Sequence, residues 1–148
     1  GVWKIPAGKM KARRAHAVPL SKQVRGYLTD LAEMLGREGY VFPSARSSKR
    51  PMSENTLNAA FRRMGYSKEE VTAHGLRATA STFLNESGLW NPDAIERALA
   101  HGDSNVVRGI YHRGKHWEER VRMAQWWSDY LDELRTGGKV IMGKFAKG

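Results

Sequence analysis

The stretch between residues 71 and 113 contains side chains of types that act on phosphate esters, and four of them form the candidate set: His74, Arg77, His101 and Tyr111. Arginine presents a planar fork that matches two phosphate oxygens. Histidine donates a hydrogen bond or moves a proton near neutral pH, and a tyrosine hydroxyl is a nucleophile that holds a covalent intermediate. The set indicates chemistry on a phosphate, although the same spacing is also common among surface residues without a catalytic role.

Helical patterns surround each of these residues. His74 and Arg77 are three residues apart, so both project from one face of a helix that begins at Thr72 or His74. His101 follows a predicted helix over residues 92–100, at a His-Gly pair that is typical of a helix end. On its own, a histidine in that place is most often a C-terminal cap.

Tyr111 follows a short helical segment that is anchored by apolar residues. The residues that could cap the start of this segment are Asp103, Ser104 and Asn105. A tyrosine after an isoleucine is usually part of a core, so the pattern alone does not make Tyr111 a nucleophile.

The composition favours one basic, cytosolic domain. The 148 residues are enough for a real core. The sequence has no run of 18 apolar residues, which excludes a transmembrane helix, and it opens without a signal-peptide pattern. It has no cysteine, so disulfides and thiolate metal sites are excluded.

The charge is +10 and is unevenly distributed, which indicates a polyanionic partner such as nucleic acid. Acidic residues collect at 69–70, 118–119 and 129–133. A generally basic protein without a nucleic-acid partner is the alternative. The basic residues before the first acid, Asp30, are Lys4, Lys9, Lys11, Arg13, Arg14, Lys22 and Arg25.

The chain is predicted to be mainly α-helical with a small β-hairpin. The hairpin covers residues 2–20, with a turn at Gly8-Lys9. The predicted helices, after the hairpin, span 22–35, 53–64, from 72 or 74 to 86 or 87, 92–100 and 117–135; residues 40–42 are extended and 44–51 form a polar, basic loop. The apolar residues expected in the core of the first helix are Val24, Tyr27, Leu28, Leu31 and Leu35.

Several motifs together resemble the catalytic domain of tyrosine recombinases, the phage-type integrases, and within them the prophage and genomic-island branch. They are H-G-L-R at 74–77, L-A-H at 99–101 and the tyrosine of V-R-G-I-Y-H-R at 107–113. The surrounding segments WKIPAGKMKARRAHAVPLS, YVFPS, RPMSENTLNAAFRRMGY and ERVRMAQWWSDYL fit as well. The resemblance covers nearly the whole chain.

The resemblance implies a fold and a reaction. The fold would be that of the DNA breaking-rejoining enzymes, mainly helical with a small sheet. Tyr111 would attack a phosphodiester and form a 3′-phosphotyrosyl link, while Arg77, His74 and His101 stabilise the transition state. Lys11 of the hairpin, or alternatively Lys9, would protonate the leaving 5′ oxygen. Neither a metal nor another cofactor is expected.

The family uses two arginines, and no arginine here stands in the T-G-x-R setting of the first. We therefore expect residues 1–136 to be the C-terminal part of a catalytic domain, followed by a flexible basic tail at 137–148. Such a fragment is expected to cleave DNA weakly or not at all by itself.

The expected partner is double-stranded DNA at attachment sites. The homo-oligomer on DNA would be a tetrameric synapse in a bacterial or phage-infected cell, possible accessory partners are DNA-bending proteins, and no membrane is involved. The candidate DNA-binding residues are Lys9, Arg13, His16, Arg46, Lys49, Arg50, Asn55, Asn58 and Arg62. A type IB topoisomerase-like enzyme and a non-catalytic DNA-binding module are the two alternatives.

Overall fold

The computed structural model describes residues 1–10, 13–100 and 116–137. These residues form five helices and two small antiparallel sheets, which confirms a mainly helical fold with a β-hairpin. The elements are β1 (Val2–Ile5), β2 (His16–Pro19), α1 (Lys22–Leu35), β3 (Pro43–Ser44), β4 (Ser47–Pro51), α2 (Thr56–Arg63), α3 (Ala73–Glu86), α4 (Pro92–Ala98) and α5 (Trp117–Arg135).

The chain divides into two compact units. The first contains residues 1–24 and the described residues from 80 onward, and the second contains residues 25–79. None of the described helices is long and apolar enough to cross a lipid bilayer.

The first hairpin opens the first unit. Val2 pairs with Pro19 and Ile5 with His16 in an antiparallel register, as the sequence predicted. A 3-10 helical turn over Ala7–Lys9 stands where a tight turn was expected. Ser21 then begins α1, because its Oγ accepts the Val24 amide at 3.3 Å, and it receives a 2.7 Å hydrogen bond from the Ser128 hydroxyl of α5.

The core of the first unit lies where α3, α4 and α5 meet. Ile95 and Met123 are almost fully enclosed there, together with Leu84. Aromatic rings extend this core along α5, and Trp126 stacks on Tyr130 with ring centroids 5.5 Å apart. Met123, Trp126 and Tyr130 of α5 therefore serve packing within the unit.

Arg120 of α5 is a buried charge that joins α5 to the hairpin. Its Nη2 donates to the backbone carbonyl of Ala17 in β2, and its guanidinium lies 5.4 Å from the ring centre of Trp117. Burial, and next the charge of Arg97, lower the pKa of Arg120. The side chain thus contributes a directed bond between two distant parts of the sequence.

The second unit contains a hairpin that the sequence did not reveal. Residues 44–51 were predicted to be a loop, but β3 and β4 pair there with an irregular register near Pro43 and Ser44. The Met52 amide extends the pairing by donating to the Phe42 carbonyl at 2.8 Å. Side chains along β4 are mostly exposed, so the strand lacks the alternation of apolar residues by which strands are predicted.

The prediction that α1 packs its apolar face in a core is wrong for the part of the chain that the structure describes. No residue of α1 is buried, and Tyr27 and Leu35 are 58% and 50% exposed. Of the predicted core residues, Leu28 and Leu31 are half-buried. Helical spacing identified an amphipathic helix correctly, yet the pattern does not say whether another element covers the face. Leu57 of α2 and Leu76 of α3 are exposed in the same way.

Truncating Ile95 tests where the stability of the first unit resides. We expect Ile95→Ala to lower the free energy of unfolding by about 3 kcal/mol, because it empties a fully enclosed site. The matched control is Leu131→Ala in α5, whose side chain is 45% exposed, and it should cost less than about 1 kcal/mol. Urea unfolding followed by tryptophan fluorescence measures both, and equal losses would contradict this location of the core.

Candidate active site

His74 and Arg77 lie on the first turns of α3, and both side chains are exposed. They are three positions apart, so they share one face of the helix, as the sequence predicted. Their position next to the amino terminus of a helix adds the positive end of the helix dipole to their own donors. The arrangement can bind an anion such as a phosphate.

The amino terminus of α3 is capped by two side chains. Thr72 Oγ1 accepts the Gly75 amide at 2.9 Å, and Asn58 Oδ1 of α2 accepts the Ala73 amide at 2.9 Å. Two of the amides that a helix start leaves without partners are therefore satisfied. This fixes where α3 begins and thus where His74 stands.

Glycine at position 75, inside the H-G-L-R motif, lets the threonine cap close. A Cβ on Gly75 would come within 3.0 Å of Thr72 Oγ1, which is tighter than ordinary contacts. Any larger residue must push the threonine hydroxyl away from the amide that it caps. The glycine is therefore explained by the cap, in addition to its place in the motif.

Arg62 of α2 also binds the segment before α3, since its Nη2 donates to the carbonyl of Val71. Beside it, a shallow cleft of about 490 Å³ opens between α2 and the segment that leads from α2 to α3. The cleft is lined by Asn55, Asn58, Ala59, Arg62, Arg63, Lys68 and Thr72. Arg63 and Lys68 are exposed at its edge and could bind an anion there.

The structure thus brings three of the candidate DNA-binding residues, Asn55, Asn58 and Arg62, to one cleft. The other candidates of the second unit, Arg46, Lys49 and Arg50, lie exposed on the second hairpin. Their role in DNA binding stays a prediction.

In the first unit, Lys9 is exposed at the end of the 3-10 turn. Arg13 is exposed with a positive φ of 51°, and His16 is half-buried in β2. Their role in DNA binding likewise stays a prediction. Lys11, His101 and Tyr111 lie outside the described residues, and so do residues 138–148 of the predicted tail.

A carboxylate that the sequence did not single out joins α4 to α5. Glu119 Oε1 accepts the Asn91 amide at 2.7 Å, and Oε2 lies 2.8 Å from His116 Nδ1. Asn91 itself caps α4, because its Oδ1 accepts the Asp93 amide. The only indication of this contact in the sequence was a glutamate three residues after His116 at the start of a predicted helix, which is a weak signal. The contact fixes both helices that border residues 101–115 in the sequence.

The Asn91 amide, followed by the His116 imidazole, holds the pKa of Glu119 below its usual range. A carboxylate with a lowered pKa in the folded state stabilises the fold above the unfolded-state pKa, which is near 4.5. That stabilisation is lost as the pH falls through the folded-state pKa.

Gly75→Ala and Thr72→Ala form a double-mutant cycle that tests the cap. In the parent chain, we expect Gly75→Ala to bring no gain, because the displaced cap offsets the better helix propensity of alanine. In the Thr72→Ala background it should stabilise the second unit by about 0.5–1 kcal/mol. Circular dichroism during urea unfolding measures each variant, and additive effects would contradict the proposed steric coupling.

Replacing Glu119 by glutamine tests the contact between α4 and α5. At pH 7 we expect Glu119→Gln to cost about 1 kcal/mol of unfolding free energy, since the ionic acceptor is lost. The difference from the parent should shrink as the pH falls below 4.5 and vanish once the pH is below the lowered folded-state pKa of Glu119, where the parent carboxylate is also protonated. The exposed Glu118→Gln is the control, and a pH-independent difference would rule out the ionic contribution.

Comparison with known protein families assigns the chain. The model of the phage integrase family matches residues 1–116. The chain therefore belongs to the phage integrase family, the tyrosine recombinases of the phage type. No solved structure matches it significantly.

Curated relatives agree with this assignment. The chain is 44% identical to the integrase of Enterobacteria phage P4 over 91% of its own length and 34% of that protein. It is 47% identical to the putative protein IntB of Escherichia coli K12 over 84% of its length and 32% of the relative. It is 44% identical to the prophage integrase IntA of the same strain over 94% of its length and 33% of the relative. The chain spans about a third of the length of these relatives.

Proposed function

We propose that this chain is part of the catalytic domain of an integrase that cuts and rejoins DNA at specific sites, for the integration and excision of a phage or prophage. The observation that carries the proposal is the exposed His74 and Arg77 pair on the capped start of α3. It occurs in a chain of the phage integrase family, and the relatives named as integrases support it.

In the proposed reaction, the Tyr111 hydroxyl attacks the scissile phosphorus. The bond to the 5′ oxygen breaks, and the DNA 3′ end becomes a phosphotyrosyl ester while a 5′ hydroxyl is released. Lys11, or alternatively Lys9, gives the leaving oxygen its proton. Rejoining is the reverse attack by a 5′ hydroxyl, which releases the tyrosine. Each step exchanges one phosphoester bond for another, so the reaction needs no cofactor as an energy source.

His74 and Arg77 would act on the charge that develops at phosphorus. The Arg77 fork would bind two non-bridging oxygens, and His74 would donate a hydrogen bond or accept the tyrosine proton. His101 would be a further donor. Fixed donors of this kind stabilise a transition state because they need no reorganisation when the charge forms.

Binding of double-stranded DNA would rest on the basic surfaces. The net charge of +10 supports attraction to the phosphate backbone. Exposed Lys49 and Arg50 on the second hairpin, together with Arg63 and Lys68 at the cleft, are suited to backbone contacts that position the protein. Recombination joins two DNA sites, so we propose further that copies of the protein assemble on DNA. DNA-bending proteins would be the accessory partners, and the reaction would take place in the bacterial cytoplasm.

We propose that the 148 residues cleave DNA weakly when they act alone. The reaction as the family performs it needs two arginines at the phosphate, and Arg77 is the one that matches here. The loss of one preorganised phosphate ligand commonly costs on the order of a hundred- to a thousandfold in rate.

Covalent trapping on a nicked suicide DNA tests the proposal. One protein is the 148-residue chain, and the other is a chimera in which this chain replaces the matched third of the phage P4 integrase, with that integrase as the positive control. We expect a protein–DNA band from the chimera, a weak band or none from the short chain, and no band from Tyr111→Phe in the chimera.

Tyr66→Phe is the matched control, because Tyr66 is an exposed tyrosine that lies outside the three motifs with the candidate catalytic residues, and this variant should keep the band. A folded chimera that binds the DNA yet never forms a tyrosine-dependent adduct would overturn the catalytic proposal in favour of a DNA-binding module. Relaxation of supercoils without recombinant products would instead indicate topoisomerase-like activity.

A further inference from the structure

Asn58 and Arg62 line the basic cleft, but their polar atoms are directed at the backbone before α3. Asn58 Oδ1 accepts the Ala73 amide at 2.9 Å, and Arg62 Nη2 donates to the Val71 carbonyl. The two residues are four apart on α2, so they lie on one face of that helix. Together they bind both sides of Thr72, the residue that caps α3.

The guanidinium of Arg62 is withdrawn from solvent. Its Nε and Nη1 are buried, and neither donates a hydrogen bond to a described residue. The neighbouring Arg63 on α2 is exposed. Of the two arginines, Arg63 is thus the one available to a ligand in solution, while Arg62 is engaged inside the unit.

The connection between α2 and α3 is fixed at both ends. Gly65, with a φ of 95°, ends α2 through hydrogen bonds from its own amide to Arg62 and from the Tyr66 amide to Phe61. Ser67 and Glu70 then exchange hydrogen bonds, since the Ser67 amide donates to Glu70 Oε2 at 2.7 Å and the Glu70 amide to Ser67 Oγ at 3.3 Å.

From this geometry we infer that Asn58 and Arg62 are positioning residues, which set the start of α3 and thereby the place of His74 and Arg77. The inference rests on the proposed function of that pair. A side chain that binds the reacting phosphate must lie within about half an ångström of its productive position to be effective. If the start of α3 frayed, His74 would move before Arg77, because His74 is the second residue of the helix.

Substituting Asn58 by aspartate distinguishes a positioning role of this residue from a direct contact with DNA. Asn58→Asp keeps an oxygen for the Ala73 amide, and its charge suits the helix start. The same charge would repel a phosphate if Asn58 touched DNA. Asn58→Leu has a similar size but no acceptor. If Asn58 positions α3, Asn58→Asp should behave like the parent and Asn58→Leu should not. If Asn58 contacts DNA, Asn58→Asp should be the more impaired of the two variants.

Amide hydrogen exchange on the 148-residue chain, measured by NMR, gives the first readout. We expect Asn58→Leu to speed exchange at Ala73 and Gly75 by about five- to thirtyfold, which corresponds to the loss of one helix cap. Asn58→Asp should stay within about threefold of the parent. The matched control is Asn55→Leu, because Asn55 lines the same cleft but makes no capping hydrogen bond.

Arg62→Met and Arg63→Met form a second matched pair on α2. We expect faster exchange at Ala73 only for Arg62→Met, and a smaller salt dependence of DNA binding only for Arg63→Met. If both variants reduce the salt dependence equally and neither changes exchange, Arg62 is a phosphate contact and the inference fails.

The rate of adduct formation gives a readout that general destabilisation would not reproduce. In the cleavage-competent chimera, Asn58→Leu should lower the rate at saturating DNA at least about tenfold and change the dissociation constant less than about twofold, with Asn58→Asp restoring the rate. An equal rate loss with aspartate, or a loss that lies in affinity alone, would overturn the inference. If no form yields an adduct, the proposed function fails, and the exchange data still decide whether Asn58 and Arg62 hold α3.

Discussion

The hydrogen bonds at the start of α3 are the constraint on which the candidate site depends. A helix begins with backbone amides that have no partner within the helix, and those amides must be satisfied. Here Thr72 satisfies one from the same segment, and Asn58 satisfies another from α2. Because local and long-range caps agree on the same first residue, the register of the H-G-L-R motif on the helix is fixed, and with it the direction in which His74 and Arg77 point.

Much of the fold could be predicted from the sequence, because local chemistry determines it. Ser21 and Gly36 bound α1, and Asn91-Pro92 starts α4, as expected from capping preferences. The second hairpin could not be predicted, since an exposed, polar strand has no apolar alternation. The exposure of the apolar face of α1 was also beyond prediction, because periodicity identifies a face and tertiary structure decides whether it is covered.

The candidate site was predictable in its residue types and less so in its contacts. The motif identified His74 and Arg77, and the structure places both on one exposed helical face. The cap from Asn58 and the bond from Arg62 to Val71 connect residues 15 and 9 positions apart. Residues at such separations are not related by the period of a helix or a strand. The sequence therefore showed only that Asn58 is polar and Arg62 is basic, and not which groups they contact. The contact of Glu119 with Asn91 was hidden for the same reason, at a separation of 28 residues.

The small core of the described residues has a thermodynamic consequence. The heat-capacity change of unfolding grows with the apolar surface that unfolding exposes. The side chains that are fully or nearly fully enclosed here gather mainly around Ile95 and Met123, and many large apolar side chains already meet solvent in the folded state. The stability that the described residues contribute should therefore vary only gently with temperature and depend only weakly on denaturant concentration.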